Sequence, residues 1–421
     1  MTRVILGDIA ISQTGPFGSQ LHEEDYVSEG TPIVTVEHLG DTNFTHQNLP
    51  FISEADTKRL SKYILIEGDI VFSRVGSIDR NVYVDKNHEG WMFSGRCIRV
   101  RADKNKVNPR YLSYYFKQNS FKKMMMNLAV GATMPSLNTK IMNSIELDLL
   151  PRESQDKIAN ILSAIDDKIQ INNQINQELE AMAKTLYDYW FVQFDFPDQN
   201  GNPYKSSGGK MVYHPELKRE IPEGWGVEKL ENLGTIVGGS TPTKSISDNF
   251  TKGGEGYSWI TPNDLSNNKG NKFIKNGEID VTVRGLKDAG LKLYPEGTVL
   301  MSSRAPVGYL AISTKEITTN QGFKSFIPDK KYGKNYIYYT LQNNLKVIEQ
   351  HASGSTFKEI SATVLKDITI IQPNLDIVKK FEEKVSSINS YIKVNEEQKQ
   401  ELTQVRDWLL PMLMNGQVKV E

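Results

Sequence analysis

The residue types that could carry catalysis are present in this chain, but their spacing fits no catalytic arrangement. The six histidines are scattered and are not paired as metal ligands. The run at positions 238–245, GGSTPTKS, lacks the Gly-x-x-x-x-Gly-Lys-Ser/Thr spacing of a phosphate-binding loop. No serine, histidine and aspartate can be singled out as a triad from the sequence alone. We therefore expect a binding protein and not an enzyme.

Two short apolar runs end in the pair Ser-Arg, which has the chemistry to hold a phosphate. Positions 67–74 read EGDIVFSR, and positions 296–304 read EGTVLMSSR. The runs predict short strands, and an arginine at a strand end can either contact a phosphate or brace the fold. The recurrence of Ser-Arg favours one shared role for the two pairs, and both roles remain open.

Basic residues are concentrated in two blocks, although the net charge is −1. Positions 58–140 contain 16 Lys/Arg against 6 Asp/Glu, and positions 244–367 contain 17 against 12. Two separate basic blocks could neutralise phosphates at two places. Ordinary solvated faces are the alternative.

The chain is a tandem repeat. LGDIAISQTG at position 6 matches LENLGTIVGG at 230, and GATMPSLNTKIMNSI at 131 matches GSTFKEISATVLKDI at 354. INNQINQELEAMAKTL at 171 matches VNEEQKQELTQVRDWL at 394. Matches that keep their order along the chain indicate two copies of one unit, each with a β-rich part and a long helix. The predicted fold class is α+β, with two long helices that could form a coiled coil.

The predicted boundaries follow from this repeat. They are a first β-rich domain at 1–150, a central helix at 151–192, a connector at 193–222, a second β-rich domain at 223–373, a distal helix at 374–413 and a tail at 414–421. Pro151 and Pro373 precede the helices, where proline is tolerated, and Pro411 is expected to end the second one.

An alternating spacing of three and four residues predicts the seam of the coiled coil. Its expected members are Ile161, Ile165, Asn172, Ile175, Leu179, Met182 and Leu186 in the first helix, and Ile388, Ile392, Asn395, Leu402, Val405 and Leu409 in the second. Asn172 and Asn395 occupy matched positions and could meet, or they could be solvated in a generic helical hairpin. Helices of about 35 residues would span about 50 Å, the length of a rigid spacer.

Aromatic residues crowd the end of the first helix. The run LYDYWFVQFDF at positions 186–196 is either a docking surface or core that packs against the connector. The connector itself is rich in Gly, Pro and Ser.

The composition, with 38% apolar and 24% charged residues, is that of an ordinary soluble protein. A single cysteine, Cys97, excludes a disulfide framework, and no apolar run is long enough to predict a membrane helix. The N-terminus has no signal-peptide pattern. We expect a cytoplasmic protein without a membrane partner.

Together these features resemble the specificity subunit of a type I restriction–modification system. The resemblance covers nearly the whole chain. It rests on TGPFGSQLHEEDY at 14–26, on GDIVFSR and GTVLMSSRAPVG, on WFVQFDF at 190–196 followed by IPEGW at 221–225, and on LLPMLMNGQVKV at 409–420.

The resemblance implies that each β-rich part is a target recognition domain that reads one half of an asymmetric, bipartite double-stranded DNA sequence. It also implies that the helices pair as an antiparallel coiled coil and fix the gap between the halves. The same helices would dock two methyltransferase subunits, which bind S-adenosylmethionine and methylate adenine. Two restriction subunits, which use ATP and Mg²⁺, would complete the nuclease. This chain would hold no cofactor or metal.

The candidate DNA contacts are loop residues that could reach phosphates or base edges. In the first domain they are Gln20, Ser73, Arg74, Arg80, Gly131, Ala132, Thr133 and Lys140. In the second they are Thr241, Thr243, Lys244, Ser303, Arg304, Lys324, Ser355, Thr356 and Lys358.

Two other functions compete with this one. The first is a stand-alone DNA-binding architectural protein that has no methyltransferase partners. The second is a methyltransferase or nuclease with a degenerate motif, against which the missing cofactor loop argues.

Overall fold

The computed structural model describes residues 1–129, 135–354 and 358–418, and contacts within the chain divide it into two compact units. The first unit contains Met1–Gln170 and Gln400–Glu421, and the second contains Ile171–Lys399. Each of the two long helices therefore contributes one part to each unit.

The first unit is built on short strands and short helices. Its strands are β1 (Thr2–Ile5), β2 (Ala10–Thr14), β3 (Tyr26–Val27), β4 (Thr31–Val34), β5 (Phe51–Ile52), β6 (Asp69–Ser73), β7 (Asn81–Tyr83), β8 (Met92–Phe93), β9 (Cys97–Ala102) and β10 (Glu146–Leu149). Its short helices are α1 (Leu6–Ile9), α2 (Glu54–Arg59), α3 (Pro109–Lys117), α4 (Asn119–Leu128) and α5 (Thr139–Asn143). The long helix α6 (Arg152–Tyr187) follows and ends in a π-helical turn at Asp188–Val192.

The second unit repeats this plan. Its strands are β11 (Met211–His214), β12 (Arg219–Pro222), β13 (Gly226–Lys229), β14 (Thr235–Val237), β15 (Phe250–Lys252), β16 (Tyr257–Ile260), β17 (Phe273–Ile274), β18 (Ile279–Val281), β19 (Val299–Ser303), β20 (Val307–Ser313), β21 (Thr318–Thr319), β22 (Ser325–Ile327) and β23 (Thr369–Gln372). Its helices are α7 (Pro262–Asn267), α8 (Val283–Asp288), α9 (Lys334–Gln350), α10 (Ala362–Asp367) and the long α11 (Leu375–Met414).

The sheets of the two units correspond strand by strand, which confirms the tandem repeat. The pair β1-β10 corresponds to β13-β23, and the sheet β2-β9-β6-β7 corresponds to β14-β22-β19-β20, which adds β17 at its edge. The sheet β3-β5-β4-β8 corresponds to β15-β18-β16-β21, and each of these contains one parallel pair, β4 with β8 and β16 with β21. The strand order survives duplication because the buried strands keep their apolar residues.

The long helices pair in antiparallel fashion within each unit. In the first, Ile158 and Leu162 of α6 share a buried cluster with Leu413 and Met414 of α11. In the second, the Asn395 side-chain amide donates to Asn176 Oδ1 at 2.9 Å, and Asn172 Nδ2 donates to Gln398 Oε1 at 2.9 Å. Asn172 and Asn395 thus both face the other helix, but each bonds a different residue and they do not bond one another.

The seam of α6 includes Asn172 as predicted, but its other buried members lie one residue beyond the predicted positions. Its buried members include Ile169, Asn172, Asn176, Ala183 and Tyr187. The predictions for Ile175 and Met182 were wrong, because these side chains are 42% and 58% exposed, and so was that for Val405, which is 45% exposed. Ile392 is buried, whereas partial burial is found for Ile161, Ile165, Leu179, Leu186, Ile388, Asn395, Leu402 and Leu409. The second helix does not end at Pro411 but continues to Met414.

The aromatic run after α6 is core rather than a docking surface. Tyr187, Trp190, Phe191, Phe194 and Phe196 are buried in the main cluster of the second unit. Tyr189 is the one aromatic residue of this run that is exposed. The connector contributes to the same cluster, because Tyr204 and Met211 pack against it and β11 and β12 form a hairpin there.

The corrected seam predicts unequal costs for one substitution made at two isoleucines of the second unit. Ile392→Ala should lower the free energy of unfolding by about 2–5 kcal/mol, because it leaves a cavity between packed helices. Ile175→Ala should change it by less than about 1 kcal/mol, because the side chain is already exposed. Urea unfolding of the purified chain measures both free energies. Equal losses would mean that Ile175 lies in the seam after all.

Candidate nucleic-acid interface

In the first unit, three segments are hydrogen-bonded to the end of strand β6. The Arg74 N–H donates to the Arg96 carbonyl at 2.8 Å, and the Leu137 N–H donates to the Arg74 carbonyl at 2.9 Å. The Ser73 N–H donates to the Arg80 carbonyl at 3.0 Å. The strand end therefore gathers the loops around positions 80, 96 and 137 into one patch.

Ser73 and Arg74 hold this patch together. The Ser73 side chain is fully buried and its hydroxyl donates to the Val75 carbonyl at 2.8 Å. The Arg74 guanidinium donates to the carbonyls of Gly95 at 3.1 Å and Leu137 at 3.4 Å. It also lies 5.6 Å from the centroid of the Phe17 ring. Of the two roles left open for this pair, bracing is the one that these contacts support.

Three cations around the same strand end are exposed. Arg80 and Lys140 were predicted, and Arg96 was missed because nothing in its local sequence distinguishes it. Within residues 1–129, 135–354 and 358–418, none of these three side chains has a hydrogen-bond or ion-pair partner. Gln20 is less free, because its Oε1 accepts from the Tyr63 hydroxyl at 2.7 Å. Gly131, Ala132 and Thr133 lie outside the described residues.

The second unit builds the same patch around the end of β19. The Ser303 N–H donates to the Gly322 carbonyl at 2.8 Å, and the Ile360 N–H donates to the Ser303 carbonyl at 3.1 Å. These two bonds correspond to the two backbone bonds of Arg74. In addition, Arg304 forms a backbone β-bridge with Glu359, as Val75 does with Ser136. The structural counterpart of Arg74 is therefore Ser303, and that of Val75 is Arg304.

The two Ser-Arg pairs are consequently not equivalent, and the shared role inferred from their recurrence was wrong. From Glu67 and Glu296 onward the two runs keep a constant offset of 229, so Ser302, not Ser303, takes the place of Ser73. The Ser302 hydroxyl donates to the Pro306 carbonyl at 2.8 Å. The second run has one more serine before its arginine, so Arg304 lies one position beyond the place of Arg74.

The predicted cations of the second patch fall into two groups. Arg304 lies 3.8 Å from a Glu359 carboxylate oxygen, and Lys324 donates to the buried Ser303 hydroxyl at 3.5 Å. Burial lowers the pKa of Lys324. Lys244 and Lys358, by contrast, are exposed and make no polar side-chain contact with the part of the chain that the structure describes.

The loop at positions 238–244 approaches the same patch. The Thr241 hydroxyl donates to Gln321 Oε1 at 2.6 Å, and the Ser240 N–H donates to the Thr319 carbonyl at 3.1 Å. A Cβ on Gly239 would lie 1.6 Å from the Thr319 carbonyl oxygen, so only glycine fits there. The Thr243 N–H donates to Asp288 at 2.7 Å, and this and neighbouring bonds lower the pKa of Asp288. Ser355 and Thr356 lie outside the described residues.

The patches have the chemistry of polyanion binding. Exposed cations can neutralise phosphates without their own counter-charge, and the loops beside them carry polar groups that can reach base edges. No group of three or more His, Cys, Asp or Glu residues that could hold a metal ion occurs in the described parts of the chain. No described helix is long and apolar enough to span a membrane.

Comparison with known proteins places the chain among relatives of one kind. The family model of the type I restriction modification DNA specificity domain matches residues 2–181 and again residues 222–404. The HindI specificity subunit of Haemophilus influenzae is 27% identical, and the match covers 92% of this chain and 95% of that protein. The MjaIX specificity subunit of Methanocaldococcus jannaschii is 35% identical over 43% of this chain and 42% of that protein.

A solved structure has the same fold. The crystal structure of the type I restriction–modification S subunit of M. genitalium aligns with a TM-score of 0.60 at 14% identity. The alignment covers 98% of this chain and 96% of that one. It agrees with the predicted order of domain, helix, domain and helix.

The patch geometry predicts opposite effects for two arginines only six positions apart. Arg74→Ala should cost about 1–3 kcal/mol of stability, because it removes the charged donor that braces two loops. Arg80→Ala should leave stability within about 0.5 kcal/mol and should lower the slope of log K against log salt by about 1 for DNA binding. Urea unfolding and salt-dependent binding to duplex DNA measure the two effects. A stable Arg74→Ala chain with a reduced salt slope would make Arg74 a phosphate contact instead.

Proposed function

We propose that this chain, which belongs to the type I restriction–modification DNA specificity family, reads the two halves of a bipartite DNA target with its two loop patches. One observation carries the proposal: the two patches have equivalent backbone hydrogen bonds but different side chains. The same hydrogen bonds form around β6 and β19, yet Arg74 corresponds to Ser303 and Arg96 to Gly322. A shared frame with different side chains is what reading two unlike half-sites requires.

Within each patch, two kinds of residue would divide the work. The exposed cations Arg80, Arg96 and Lys140, and Lys244 and Lys358 in the second unit, would contact phosphates and supply affinity that does not depend on sequence. Base choice would fall to the polar groups of the neighbouring loops, which include Thr241 and Gln321. The buried Ser73 and Ser303 would support these loops without touching DNA.

The long helices would set the gap between the halves. Helix α6 contains 36 residues, which at about 1.5 Å each span about 54 Å. That length corresponds to about sixteen base-pair steps of about 3.4 Å in B-DNA. A paired helix resists bending far better than a loop of equal length, so a fixed gap is expected.

The helices would also dock the partner subunits. Ile171, Ile175 and Met182 of α6 are exposed, as is Tyr189 in the π-helical turn that follows. Their spacing of four and seven residues places them on one face of the helix. Such an apolar stripe beside a filled seam favours a protein partner. We assign it to the methyltransferase subunits, two per complex, with two restriction subunits completing the nuclease.

The chemistry would belong to those partners. The methyltransferase subunits would bind S-adenosylmethionine and methylate adenine, and the restriction subunits would use ATP and Mg²⁺ to translocate and cut DNA. This chain would supply sequence choice and assembly and would not itself catalyse a step.

The docking assignment predicts that a charge in the stripe blocks assembly without unfolding the chain. Met182→Glu should abolish co-purification with the methyltransferase subunit, because a carboxylate would be buried against apolar surface. Gln174→Glu adds the same charge at another exposed position of α6 and should leave assembly intact. Assembly that survives Met182→Glu, with the melting temperature unchanged, would move the docking site elsewhere.

A methylome tests the function as a whole. The chain should be expressed with its methyltransferase subunit in a host that lacks adenine methylation, and N6-methyladenine should be mapped by single-molecule sequencing. We expect one motif of two short halves separated by a fixed gap, and replacement of residues 1–150 by another recognition domain should change one half only. Absence of modification by a folded, assembled complex would favour a stand-alone DNA-binding scaffold.

A further inference from the structure

Lys272 places a buried positive charge where the second β-rich domain rests on its helices. The residue lies between β16 and β18, and its side chain is 3% exposed. Its Nζ lies 2.9 Å from Glu180 Oε2 on α6 and also donates to the Tyr339 hydroxyl on α9. The Tyr339 hydroxyl in turn donates to Glu180 Oε2 at 3.0 Å. One ammonium thus joins the domain to the first long helix.

The surroundings of this ammonium explain why it depends on its partner. Its Nζ lies 4.0 Å from the ring centroid of Tyr339 and 4.5 Å from that of Tyr338, where a cation gains from the ring faces. Burial lowers the pKa of Lys272 to about 8. A charge removed from water in this way is tolerated only when a counter-charge is held close to it, and Glu180 provides that charge.

The second long helix holds the backbone of the same turn. Glu396 of α11 accepts the Lys272 N–H at 2.6 Å with one oxygen and the Phe273 N–H at 3.0 Å with the other. Burial raises the pKa of this carboxyl to about 7. Lys399, also on α11, donates to Asn271 Oδ1. Both long helices therefore bind the turn at residues 271–273 through charged side chains.

The first unit lacks this arrangement at the corresponding place. The matching segment lies between β4 and β5, and there the Asn43 side-chain amide donates to Gln170 Oε1 of α6 at 3.4 Å. That bond is long and joins two neutral groups. Charge-assisted bonds are shorter and about twice as strong as neutral ones, so these two matching segments are held to the helices by bonds of different strength. The first domain makes its charge-assisted bond elsewhere, from the Tyr114 hydroxyl to Asp166 of α6.

We propose that Lys272, Glu180 and Glu396 form a charged latch that fixes the orientation of the second recognition domain on the helix pair, and so positions the second half of the DNA target. The inference rests on the proposed function and adds to it the residues that make the gap length strict. These are positioning residues, because none of them lies in the loop patch assigned to DNA.

The test measures discrimination between gap lengths. The complete complex with its methyltransferase subunit methylates duplexes that carry both half-sites at the preferred gap, or at a gap one base pair longer or shorter. In the double variant Lys272→Met, Glu180→Gln, both charges are removed together, so neither is left buried alone. The ratio of rates between preferred and altered gaps should fall about tenfold, with the half-site sequences unchanged.

Two further variants keep the test decisive. Lys275→Met makes the same side-chain change three residues away, where the lysine is exposed and has no side-chain partner among the described residues, and the ratio should stay as in the wild type. Tyr339→Phe removes one hydroxyl and keeps the ring. It should lower the ratio, but by less than the double variant does, because the charged pair remains. It also provides a test if the double variant folds poorly.

The pH dependence of the ratio of methylation rates distinguishes a charged latch from simple packing. The pH dependence of catalysis itself cancels in this ratio, because the same complex methylates both DNAs. Lys272 faces the carboxylates of Glu180, Glu396 and Glu382, the ring of Tyr338 and the hydroxyl of Tyr339. Its ammonium, with a pKa of about 8, is lost as the pH rises through that value.

Glu396 faces Lys272 and Lys399, and its carboxylate, with a pKa of about 7, is lost as the pH falls through that value. Discrimination by the wild type should therefore be highest between about pH 7 and pH 8 and should fall on both sides. The double variant should lose the fall on the alkaline side.

Two results would overturn the proposal, and they can be told apart. If the double variant assembles normally and keeps both the ratio and its pH profile, the three residues only fill space. If the wild-type complex shows no preference for any bipartite target, the proposed function fails before a variant is made. In that case hydrogen exchange at the Lys272 and Phe273 amides, which should quicken in Glu396→Ala, still reports whether the latch holds the domain on its helices.

Discussion

Polar side chains buried between α6 and α11 fix how the two long helices pair, and the rest of each unit is assembled on that pairing. In the first unit Asp166 accepts from Arg406 at 3.0 Å and from the Tyr114 hydroxyl at 2.6 Å. In the second, Asn176 and Asn395 form a direct hydrogen bond. A slip of either helix by one turn would leave these groups buried without partners, which costs more than the apolar contacts could recover.

The same polar seam carries the β-rich domains. Tyr114 of α3 and Tyr339 of α9 occupy corresponding helices, and each donates its hydroxyl to an acidic residue of α6, Asp166 or Glu180. Each domain is thus attached to the helices through a specific hydrogen bond and not through apolar packing alone. A domain attached in this way has one orientation, which is what a reader of spaced DNA sequence needs.

The repeat, the fold class and the two long helices could be predicted from the sequence, because matches in order and apolar periodicity survive duplication. The seam of α6 could not. Ile175 and Met182 are as apolar as core residues but are exposed, whereas Asn176 and Ala183, one residue beyond them, are buried. Periodicity finds an apolar stripe without telling what covers it, so part of an exposed stripe was taken for the contact between the helices.

The candidate site shows the same limit at the level of single residues. A match of Ser-Arg to Ser-Arg aligned Arg74 with Arg304, but the constant offset of 229 places Arg304 opposite Val75, and the β-bridges of these two residues agree with it. The sequence allows both alignments, and the hydrogen bonds between distant segments decide between them. Arg96 was missed for the same reason, since only its carbonyl bond to Arg74 brings it to the patch.

A net charge of −1 is compatible with this site, because the total says little about the charge around one strand end. Two acidic residues near the second patch are engaged within the chain, Glu359 with Arg304 and Asp288 with the Thr243 backbone. They would therefore oppose bound DNA less than free carboxylates. Under the proposed function, the exposed cations remain for phosphates. Affinity that depends on these cations, and base choice that depends on other loop residues, can then change independently. One domain of a duplicated chain can therefore acquire a new target half while the other keeps its own.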